Sequence, residues 1–313
     1  MLTKQKHLKG KSMPKITPFL WFDNSAEDAA KFYTSVFKNS KMGSTTKYNE
    51  ASANAAGMKP GSIMTASFEI EGYNFTALNG GPVFKMNPSI SFFYYSKDEK
   101  EIDELWKKLS DGGKFLMELD KYDWSKKYGW VVDKFGLSWQ LMLIDNDIEQ
   151  KIVPSLLFTG TKFGEANDAI NYYVSTFKNA KVDNTFKYGS EVLPDNPDAL
   201  MYADFTLEGK KFAAMDGAGE HDFQFNEAIS FVVNCDNQNE LDNFWNKLSE
   251  GGDPNAQMCG WLKDKYGVSW QIVPSVLSKL LSDKDGKKSQ RVMQAVLQMK
   301  KLDISVLEKA YKG

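Results

Sequence analysis

Few side chains in this sequence could carry acid–base chemistry. The chain holds two histidines, His7 and His221. His221 could act as a general base, because imidazole titrates near neutral pH and two carboxylates, Asp216 and Glu227, are close in sequence. The alternative is a solitary loop histidine, since the first half of the chain has no histidine at the matching place and a base needs a positioned partner. His221 is the catalytic candidate.

Nucleophilic chemistry would fall to one of two cysteines, Cys235 and Cys259. Cys259 could be a nucleophile, although burial as a small thiol is the more common role of a single cysteine. Tyr128 occupies the matching place in the first half. Two cysteines in 313 residues give no disulfide framework, which favours a reducing compartment.

The most informative polar residue is a glutamine that occurs twice in one setting. Residues 129–140 read GWVVDKFGLSWQ and residues 260–271 read GWLKDKYGVSWQ, so the two copies end at Gln140 and Gln271. An amide on an otherwise apolar strand either faces solvent or must find hydrogen-bond partners. A bound ligand could supply those partners.

Tryptophans accompany both glutamines, and flat aromatic rings with a few polar groups are the usual lining of a small-molecule pocket. The residues predicted on this ground to contact a ligand are Trp130, Gln140, Trp261, Gln271, Asn79 and Asp216. The alternative is core packing, which should account for at least half of the tryptophans at positions 130, 139, 261 and 270.

The elements that must position these residues follow a repeated order. Each GW…WQ copy predicts a strand, a tight Asp-Lys-aromatic-Gly turn and a second strand. Further strands are predicted at residues 16–22, 42–48, 62–70 and 73–78, with a helix opening after Ser25. A second βαβββ module starts near residue 89, and the second half repeats both modules from Ile152.

These modules predict an α+β protein of two tandem domains. The boundaries are a disordered leader at residues 1–13, a first domain at 14–145, a second domain at 152–278 and a helical C-terminal tail at 279–313. Apolar faces predict two tail helices, at residues 290–300 and 304–312. The tail either docks on the second domain or binds a partner or an anionic surface.

The composition excludes some classes of binding partner and indicates the cellular compartment. A net charge of −2 argues against a general nucleic-acid binder, which would show a basic excess on at least one domain. No apolar run approaches the roughly 18 residues needed to span a bilayer, and the basic N-terminal residues are not followed by a signal-peptide core. We expect a cytoplasmic protein with neither nucleic acid nor a membrane as partner.

Three stretches of the second half carry a family resemblance, namely residues 219–231, 245–252 and 259–274. They resemble the vicinal oxygen chelate superfamily, with its glyoxalase, bleomycin-resistance and dioxygenase fold, and within it the PhnB-like branch named 3-demethylubiquinone-9 3-methyltransferase. The resemblance covers nearly all of residues 152–313 and, more loosely, residues 14–143. It implies that paired βαβββ modules form curled mixed sheets, each a half-barrel around a pocket.

The resemblance also implies a metal site. Enzymes of the superfamily generally hold a divalent metal with His, Glu or Gln side chains on the first, fourth, fifth and eighth strands. Here the eighth strands would carry Gln140 and Gln271, and the fifth strands Ser91 and Ser230. Such metals prefer imidazole and carboxylate, so we expect no stoichiometric metal and no other cofactor, and Ser230 joins the predicted ligand contacts.

The family name implies methyl transfer as a competing activity. A methyl-donor site usually has a Gly-rich turn between a parallel strand and a helix. The two Gly-rich stretches, residues 79–82 and 216–219, each precede a predicted strand instead. Their position before a strand indicates that these two stretches connect one module to the next.

The sequence thus predicts a metal-poor tandem protein that binds a small, partly aromatic ligand in a half-barrel pocket, with the second half as the location of the site. In single-domain relatives two chains pair, so the halves are expected to form an intramolecular pseudo-dimer; a further homodimer stays open. Two alternatives remain: an enzyme with lyase, isomerase, dioxygenase-like or methyltransferase chemistry, and a structural or interaction protein without a ligand.

Overall fold

The computed structural model describes residues 14–313, and the leader predicted at residues 1–13 lies outside them. Within the described residues the chain forms four modules followed by three helices, which confirms the α+β class. Module 1 contains β1 (Ile16–Phe22), α1 (Ala26–Val36), β2 (Ser40–Lys47), α2 (Glu50–Ala56), β3 (Ile63–Ile70) and β4 (Tyr73–Asn79). Module 2 contains β5 (Ile90–Ser96), α3 (Glu99–Ser110), β6 (Lys114–Tyr122), β7 (Ser125–Val132) and β8 (Ser138–Leu143).

The second half repeats this order. Module 3 contains β9 (Ile152–Phe158), α4 (Ala166–Thr176), β10 (Lys181–Lys187), β11 (Leu200–Leu207) and β12 (Lys210–Asp216). Module 4 contains β13 (Ile229–Cys235), α5 (Gln238–Ser249), β14 (Asp253–Met258), β15 (Trp261–Lys263) and β16 (Ser269–Pro274). The tail forms α6 (Val276–Leu281), α7 (Gly286–Leu297) and α8 (Ile304–Lys312). None of the helices in residues 14–313 is long and apolar enough to cross a membrane.

Each of the two eight-stranded sheets combines one module from each half of the chain. Sheet A has the order β14-β15-β16-β13-β1-β4-β3-β2, and sheet B has the order β10-β11-β12-β9-β5-β8-β7-β6. The halves join where β1 pairs antiparallel with β13 and where β5 pairs antiparallel with β9. The pairing partner of each module therefore lies in the other half, and both halves share one hydrophobic core.

Alternation along the central strands separates a face packed by helices from an opposite face. On β16, Trp270 and Ile272 are buried in the main core beneath α5, whereas Gln271 between them points to the other side. Trp139 on β8 is buried in the same core, so two of the four repeated tryptophans are core residues. The core-packing alternative is therefore confirmed for Trp139 and Trp270.

The two closing hairpins differ in length. Hairpin β6–β7 runs from Lys114 to Val132, whereas the matching β14–β15 hairpin runs only from Asp253 to Lys263. The longer hairpin carries Tyr128 into a second, smaller hydrophobic cluster on sheet B. This difference makes the helix-free faces of the two sheets unlike.

The C-terminal tail docks on module 4 and also reaches module 1. The amides of Cys259 and Gly260 donate to the carbonyl oxygens of Met299 and Lys300, each over 2.8 Å. Leu302 is fully buried beside them. At its other end the tail reaches module 1, where α7 packs on α2.

Candidate functional site

The strongest candidate site is the helix-free face at the centre of sheet A. We name it the A face and define it by seven residues: Trp261, Gln271, Val232, Ser230, Thr17, Phe19 and Trp21. Strand register brings them together, because Trp261 pairs with Gln271, Gln271 with Val232, and Ser230 with Phe19. Of the residues predicted to bind a ligand, the A face therefore unites Trp261, Gln271 and Ser230.

Gln271 is the polar centre of the A face. Its Nε2 donates to Oγ of Ser230 over 3.0 Å. Gln271 is 6% exposed and Ser230 is fully buried. Oε1 of Gln271 accepts no hydrogen bond from any of residues 14–313. This oxygen is not one of the buried side-chain atoms that lack a partner, so it is open to solvent and accessible to a donor from outside the protein.

Half-buried aromatic rings surround this amide. The indole of Trp261 reaches the ring of Phe19 at a centroid distance of 5.8 Å and that of Trp21 at 6.3 Å, both nearly edge to face. Trp21 also meets Phe84 at 5.1 Å and donates from Nε1 to the carbonyl oxygen of Gly81 over 2.8 Å. Partly exposed rings in this arrangement can stack against a flat ligand.

The matching glutamine on sheet B is fully hydrogen-bonded by the protein. Nε2 of Gln140 donates to Ser91 Oγ over 2.7 Å, and Oε1 accepts from the Tyr128 hydroxyl over 2.6 Å. Trp130 donates from Nε1 to Ser138 Oγ over 2.7 Å. Side chains of sheet B thus already supply hydrogen-bond partners to Gln140 and Trp130, and ligand binding by these two residues stays a prediction.

We name the helix-free face of sheet B, which carries Gln140 and Trp130, the B face; the rest of it is filled by its own side chains. Its buried members are Phe93, Tyr95, Tyr128, Val153 and Ala213. Phe93 stacks on Tyr95 at 5.3 Å, and the Tyr95 hydroxyl lies 3.4 Å from that of Tyr202. A cleft of about 560 Å³ opens at one end, between the tip of hairpin β6–β7 and residues 142–148; neither Gln140 nor Trp130 lines it.

Asp216 and Asn79, which were predicted to bind a ligand, use their side-chain oxygens to accept from backbone amides on the helix side. Oδ1 of Asp216 accepts from the amides of Gly164 and Ala166, and Oδ2 accepts from the amide of Leu200, all within 2.7–3.2 Å. Asn79 occupies the matching place, and its Oδ1 accepts from the amide of Ala26 over 2.8 Å. These side chains hold the starts of α4 and α1 on the helix side, because a helix N-terminus presents amides that lack partners. Burial raises the pKa of Asp216, although those amides oppose the rise.

His221, the catalytic candidate, lies without an acidic partner. Its Nε2 is buried against Gly217 and near the Thr159 methyl group, and it has no hydrogen-bond partner within residues 14–313. The Asp216 carboxylate is used by amides, and Glu227 instead pairs with Lys263 at 2.5 Å. Neither Asp216 nor Glu227 is therefore positioned to assist His221 as a general base, and its catalytic role stays a prediction.

The cysteines show the environment of structural thiols. Burial raises the pKa of Cys235 to about 12 and also raises that of Cys259. A raised pKa leaves little thiolate at neutral pH, and the thiolate is the nucleophile. The backbone of Cys259 is instead used to attach the tail.

The sequence reading missed the role of the repeated aspartate. Oδ1 of Asp264 accepts from the amides of Tyr266 and Val268, and Oδ2 accepts from Trp270 Nε1 over 2.8 Å and from the Tyr173 hydroxyl over 2.7 Å. Burial raises the pKa of Asp264 to about 6, although the indole, phenol and amides lower it. Asp133 holds the matching turn and Trp139 in the same way. The recurring Asp-Lys-aromatic-Gly therefore serves the fold, and the identical spacing of Asp and Trp in both copies was the available signal.

The donors on the A face do not fit the divalent metal that the superfamily implies. The central strands β1, β13 and β16 present there the hydroxyl, amide and apolar side chains of Thr17, Ser230, Val232 and Gln271, and Thr76 on β4 adjoins them beside Phe19. Imidazole and carboxylate, the ligands such metals prefer, are missing from this set. Across residues 14–313 no group of three or more His, Cys, Asp or Glu side chains is arranged to hold a metal.

Comparison with known proteins agrees with this architecture. A PhnB protein from Bacillus cereus, provisionally named 3-demethylubiquinone-9 3-methyltransferase, is 38% identical over 42% of this chain and 100% of its own, with a TM-score of 0.38. A Staphylococcus aureus protein is 34% identical over 43% of this chain and 99% of its own, with a TM-score of 0.18. Glyoxalase I from Zea mays has a TM-score of 0.54 over 86% of this chain and 95% of its own at 13% identity, which is a likeness of fold alone. No curated protein matches the chain.

The family model supplies the assignment. The model described as 3-demethylubiquinone-9 3-methyltransferase matches residues 14–142 and again residues 150–273. These two matches cover most of the chain and coincide with the two sequence repeats. The chain therefore belongs to the 3-demethylubiquinone-9 3-methyltransferase, or PhnB-like, family, with the family domain present twice in one polypeptide.

Proposed function

We propose that this protein binds a small, partly aromatic ligand on the A face. The observation that carries the proposal is the contrast between the two repeated glutamines. Oε1 of Gln140 accepts from Tyr128, whereas Oε1 of Gln271 has no donor within residues 14–313 and is open to solvent. An open acceptor among half-buried aromatic rings is the kind of polar group that orients a ligand in a small-molecule site.

The surrounding rings suit the same ligand. Phe19, Trp21 and Trp261 are half-buried, so a flat ring could cover the area that they still expose. Aromatic pairs contribute about 0.5–1.5 kcal/mol beyond the area they bury. An aromatic portion for the rings and a polar portion for Gln271 together describe a partly aromatic molecule.

The proposed function is binding without a chemical reaction, and it requires no metal. The A face offers hydroxyl and amide groups, and no described residue there pairs a base with an acid or a nucleophile with a base. The family name refers to methyl transfer, but no contact on the A face favours that reaction. Binding should therefore persist after dialysis against EDTA, with the metal content followed by plasma emission spectroscopy. Binding that is lost with EDTA and restored by a divalent metal would contradict this part of the proposal.

Isothermal titration of the full chain with phenol, indole and 2-naphthol tests the binding itself. Replacing Trp261 by Ala should weaken binding about tenfold, because the ring that spans the A face is removed. Trp130→Ala is the matched control, since Trp130 occupies the same repeat position on the filled B face. Circular dichroism of both variants verifies folding. Equal loss of binding in the two variants, or no loss in either, would count against the A face.

A further inference from the structure

The cleft at the end of sheet B, between the tip of hairpin β6–β7 and residues 142–148, is lined by both aromatic rings and carboxylates. We infer that it is a second binding site, whose ligand is an organic cation with an apolar part, such as a quaternary ammonium compound. The site lies on the other sheet from the A face, so it goes beyond the proposed function and does not depend on it.

The cleft is formed by two segments that occur only once in the chain. The matching hairpin β14–β15 already turns after Met258 and is too short to hold a counterpart of residues 121–126. Residues 144–151 occur once because they join the two halves. The cleft has a volume of about 560 Å³, within the range of about 300–1,000 Å³ that is usual for small-molecule sites. It is therefore separate from the repeated faces of the two sheets and large enough for a small molecule.

An exposed tryptophan lines this cleft. The Trp124 side chain is 60% exposed, although tryptophan is usually among the more deeply buried residues. Tyr122 stacks on the indole with 5.0 Å between ring centroids and 22° between the ring planes, and Tyr128 meets it edge to face at 6.0 Å. One face of the indole is thus covered and held in place, while the other face is open. A ring that is already ordered loses little conformational freedom when a ligand binds to it.

Aliphatic side chains supply the rest of the apolar lining, namely those of Met142, Leu143, Ile144 and Ile148. The first three are half-buried, and Ile148 is 39% exposed. An apolar part of a ligand would cover the surface that they leave open, which favours binding through the hydrophobic effect.

Charge along the lining decides the sign of the ligand. The ionisable residues there are three aspartates and two lysines, namely Asp123, Asp145, Asp147, Lys121 and Lys126. Lys126 pairs with Asp145 at 2.7 Å, and Lys97 from outside the cleft pairs with Asp147 at 2.9 Å. Asp123 and Lys121 have no ion pair with any of residues 14–313. Carboxylates therefore outnumber ammonium groups in the lining, and the existing pairs are exposed and weak.

The open indole face selects the same sign of charge as the carboxylates. The face of an aromatic ring attracts a cation, most strongly for tryptophan, and quaternary ammonium groups are a common ligand of such rings. An anion would be repelled both by the ring face and by the surplus carboxylate, and a neutral molecule would gain from neither. An organic cation is thus the ligand class that both features favour.

The indole N–H signals in a ¹H–¹⁵N spectrum of the full chain test the site directly. The chain has eight tryptophans, and the signal of Trp124 is the one that disappears in Trp124→Phe. The probes are choline and its neutral isostere 3,3-dimethyl-1-butanol, which replaces the charged nitrogen by carbon. Choline should shift the signal of Trp124, leave that of Trp261 in place, and bind roughly two- to five-fold more tightly than the neutral alcohol.

Asp123→Asn then tests the contribution of the carboxylate, because asparagine keeps the shape of the side chain without its charge. The preference for choline over the alcohol should fall about twofold. Asp195→Asn is the matched control, since Asp195 is equally exposed but lies in module 3, outside the cleft; it should leave the preference unchanged.

Three results would overturn the inference: no shift of the Trp124 signal with choline, equal affinity for the two probes, or an equal loss of preference in both aspartate variants. The last result would mean that choline responds to the net charge of the protein and not to this cleft. None of them bears on the A face, whose aromatic ligand is tested separately by the Trp261→Ala titrations.

Discussion

The hydroxyl of Tyr128 donates to Oε1 of Gln140 over 2.6 Å on sheet B. Tyr128 reaches this position because hairpin β6–β7 continues to the Tyr122–Ser125 pair before it turns back. In the shorter β14–β15 hairpin the chain turns at Cys259, so Gln271 has no such neighbour. One tyrosine thus separates a closed face from an open one, although the two strands that carry the glutamines have nearly the same sequence.

Tyr128→Phe should destabilise the protein, because it leaves the buried oxygen of Gln140 without a donor while the ring stays in place. The expected loss in the free energy of unfolding is about 1–3 kcal/mol, measured by urea denaturation. Tyr122→Phe is the control, since the Tyr122 hydroxyl donates to the carbonyl oxygen of Glu118 at an exposed site. The two variants should differ clearly; equal stabilities would show that Gln140 finds another donor.

Much of the fold could be predicted because it depends on local sequence. Strand β1 covers the predicted residues 16–22, and β9 begins at Ile152 as the repeat indicated. Helix α2 was missed although its signals were present: the Asn49 side chain accepts from the amide of Ser52, and Gly57 ends the helix with a φ angle of 65°. The sequence could not show that each sheet combines modules from both halves, because the repeated strands could pair either within one half or between the halves.

The site was less predictable because it depends on which face a side chain occupies. Gln271 and Gln140 share one sequence pattern, and only the distant Tyr128 makes them differ. Asp216 and Asn79 end strands β12 and β4, where one step in the alternation decides between the open face and the helix side. The sequence shows that these residues are polar, but packing of the whole fold decides which face of the sheet their side chains occupy.

Asp264 should make the stability of the protein depend on pH. Burial raises its pKa to about 6 in the folded protein, above about 3.9 in an unfolded chain. The folded state therefore binds the proton more tightly, so this contribution to stability is complete below about pH 4 and is lost as pH rises through 6. Two pKa units correspond to about 3 kcal/mol.

Comparison with Asp264→Asn isolates this contribution, because asparagine does not titrate. Asparagine has one acceptor oxygen and cannot replace both carboxylate oxygens, which together accept four hydrogen bonds, so the variant should be less stable throughout. The stability difference between the two proteins, measured by urea denaturation followed by tryptophan fluorescence, should widen by about 2 kcal/mol between pH 7 and pH 4.5. A constant difference across that range would contradict a raised pKa at this position.

Lys151 should stabilise the junction between the two halves of the chain. Its Nζ lies 3.4 Å from Oε1 of Glu71 and 3.4 Å from Oε2 of Glu101, and both glutamate side chains are only 7% exposed. Removing a cation from buried carboxylates is costly; because the Lys151 side chain is 31% exposed, we expect Lys151→Met to lower the free energy of unfolding by about 2 kcal/mol at pH 7. Lys126→Met is the control, since its pair with Asp145 is exposed on both sides and should contribute less than about 0.5 kcal/mol.

The effect of Lys151→Met should fade in acid. Burial tends to raise the pKa of Glu101, but the Ser96 hydroxyl, Lys151 and Lys38 outweigh it and lower the pKa. A carboxyl group whose pKa is lowered by folding stabilises the protein above the pKa of about 4.3 in the unfolded chain, and this contribution is lost as pH falls through the folded value. Denaturation at pH 4 should therefore show a smaller difference than at pH 7, and an equal or larger one would indicate that Lys151 acts through packing instead.

Leu302 should hold the C-terminal tail against module 4. Its side chain is fully buried, it lies beside Gly260, and its carbonyl oxygen accepts from Gln238 Nε2 over 3.2 Å. Leu302→Ala should cost about 2–5 kcal/mol, the usual range for such a truncation in a core, and should expose the tail to limited proteolysis before the rest of the chain. Val306→Ala, at a position 44% exposed on α8, should change stability by less than about 0.5 kcal/mol. If both variants resist proteolysis equally, the tail is held by the amides of Cys259 and Gly260 rather than by Leu302. In that case a substitution of Gly260 should release the tail, because the added Cβ would lie 3.0 Å from the carbonyl oxygen of Ile272.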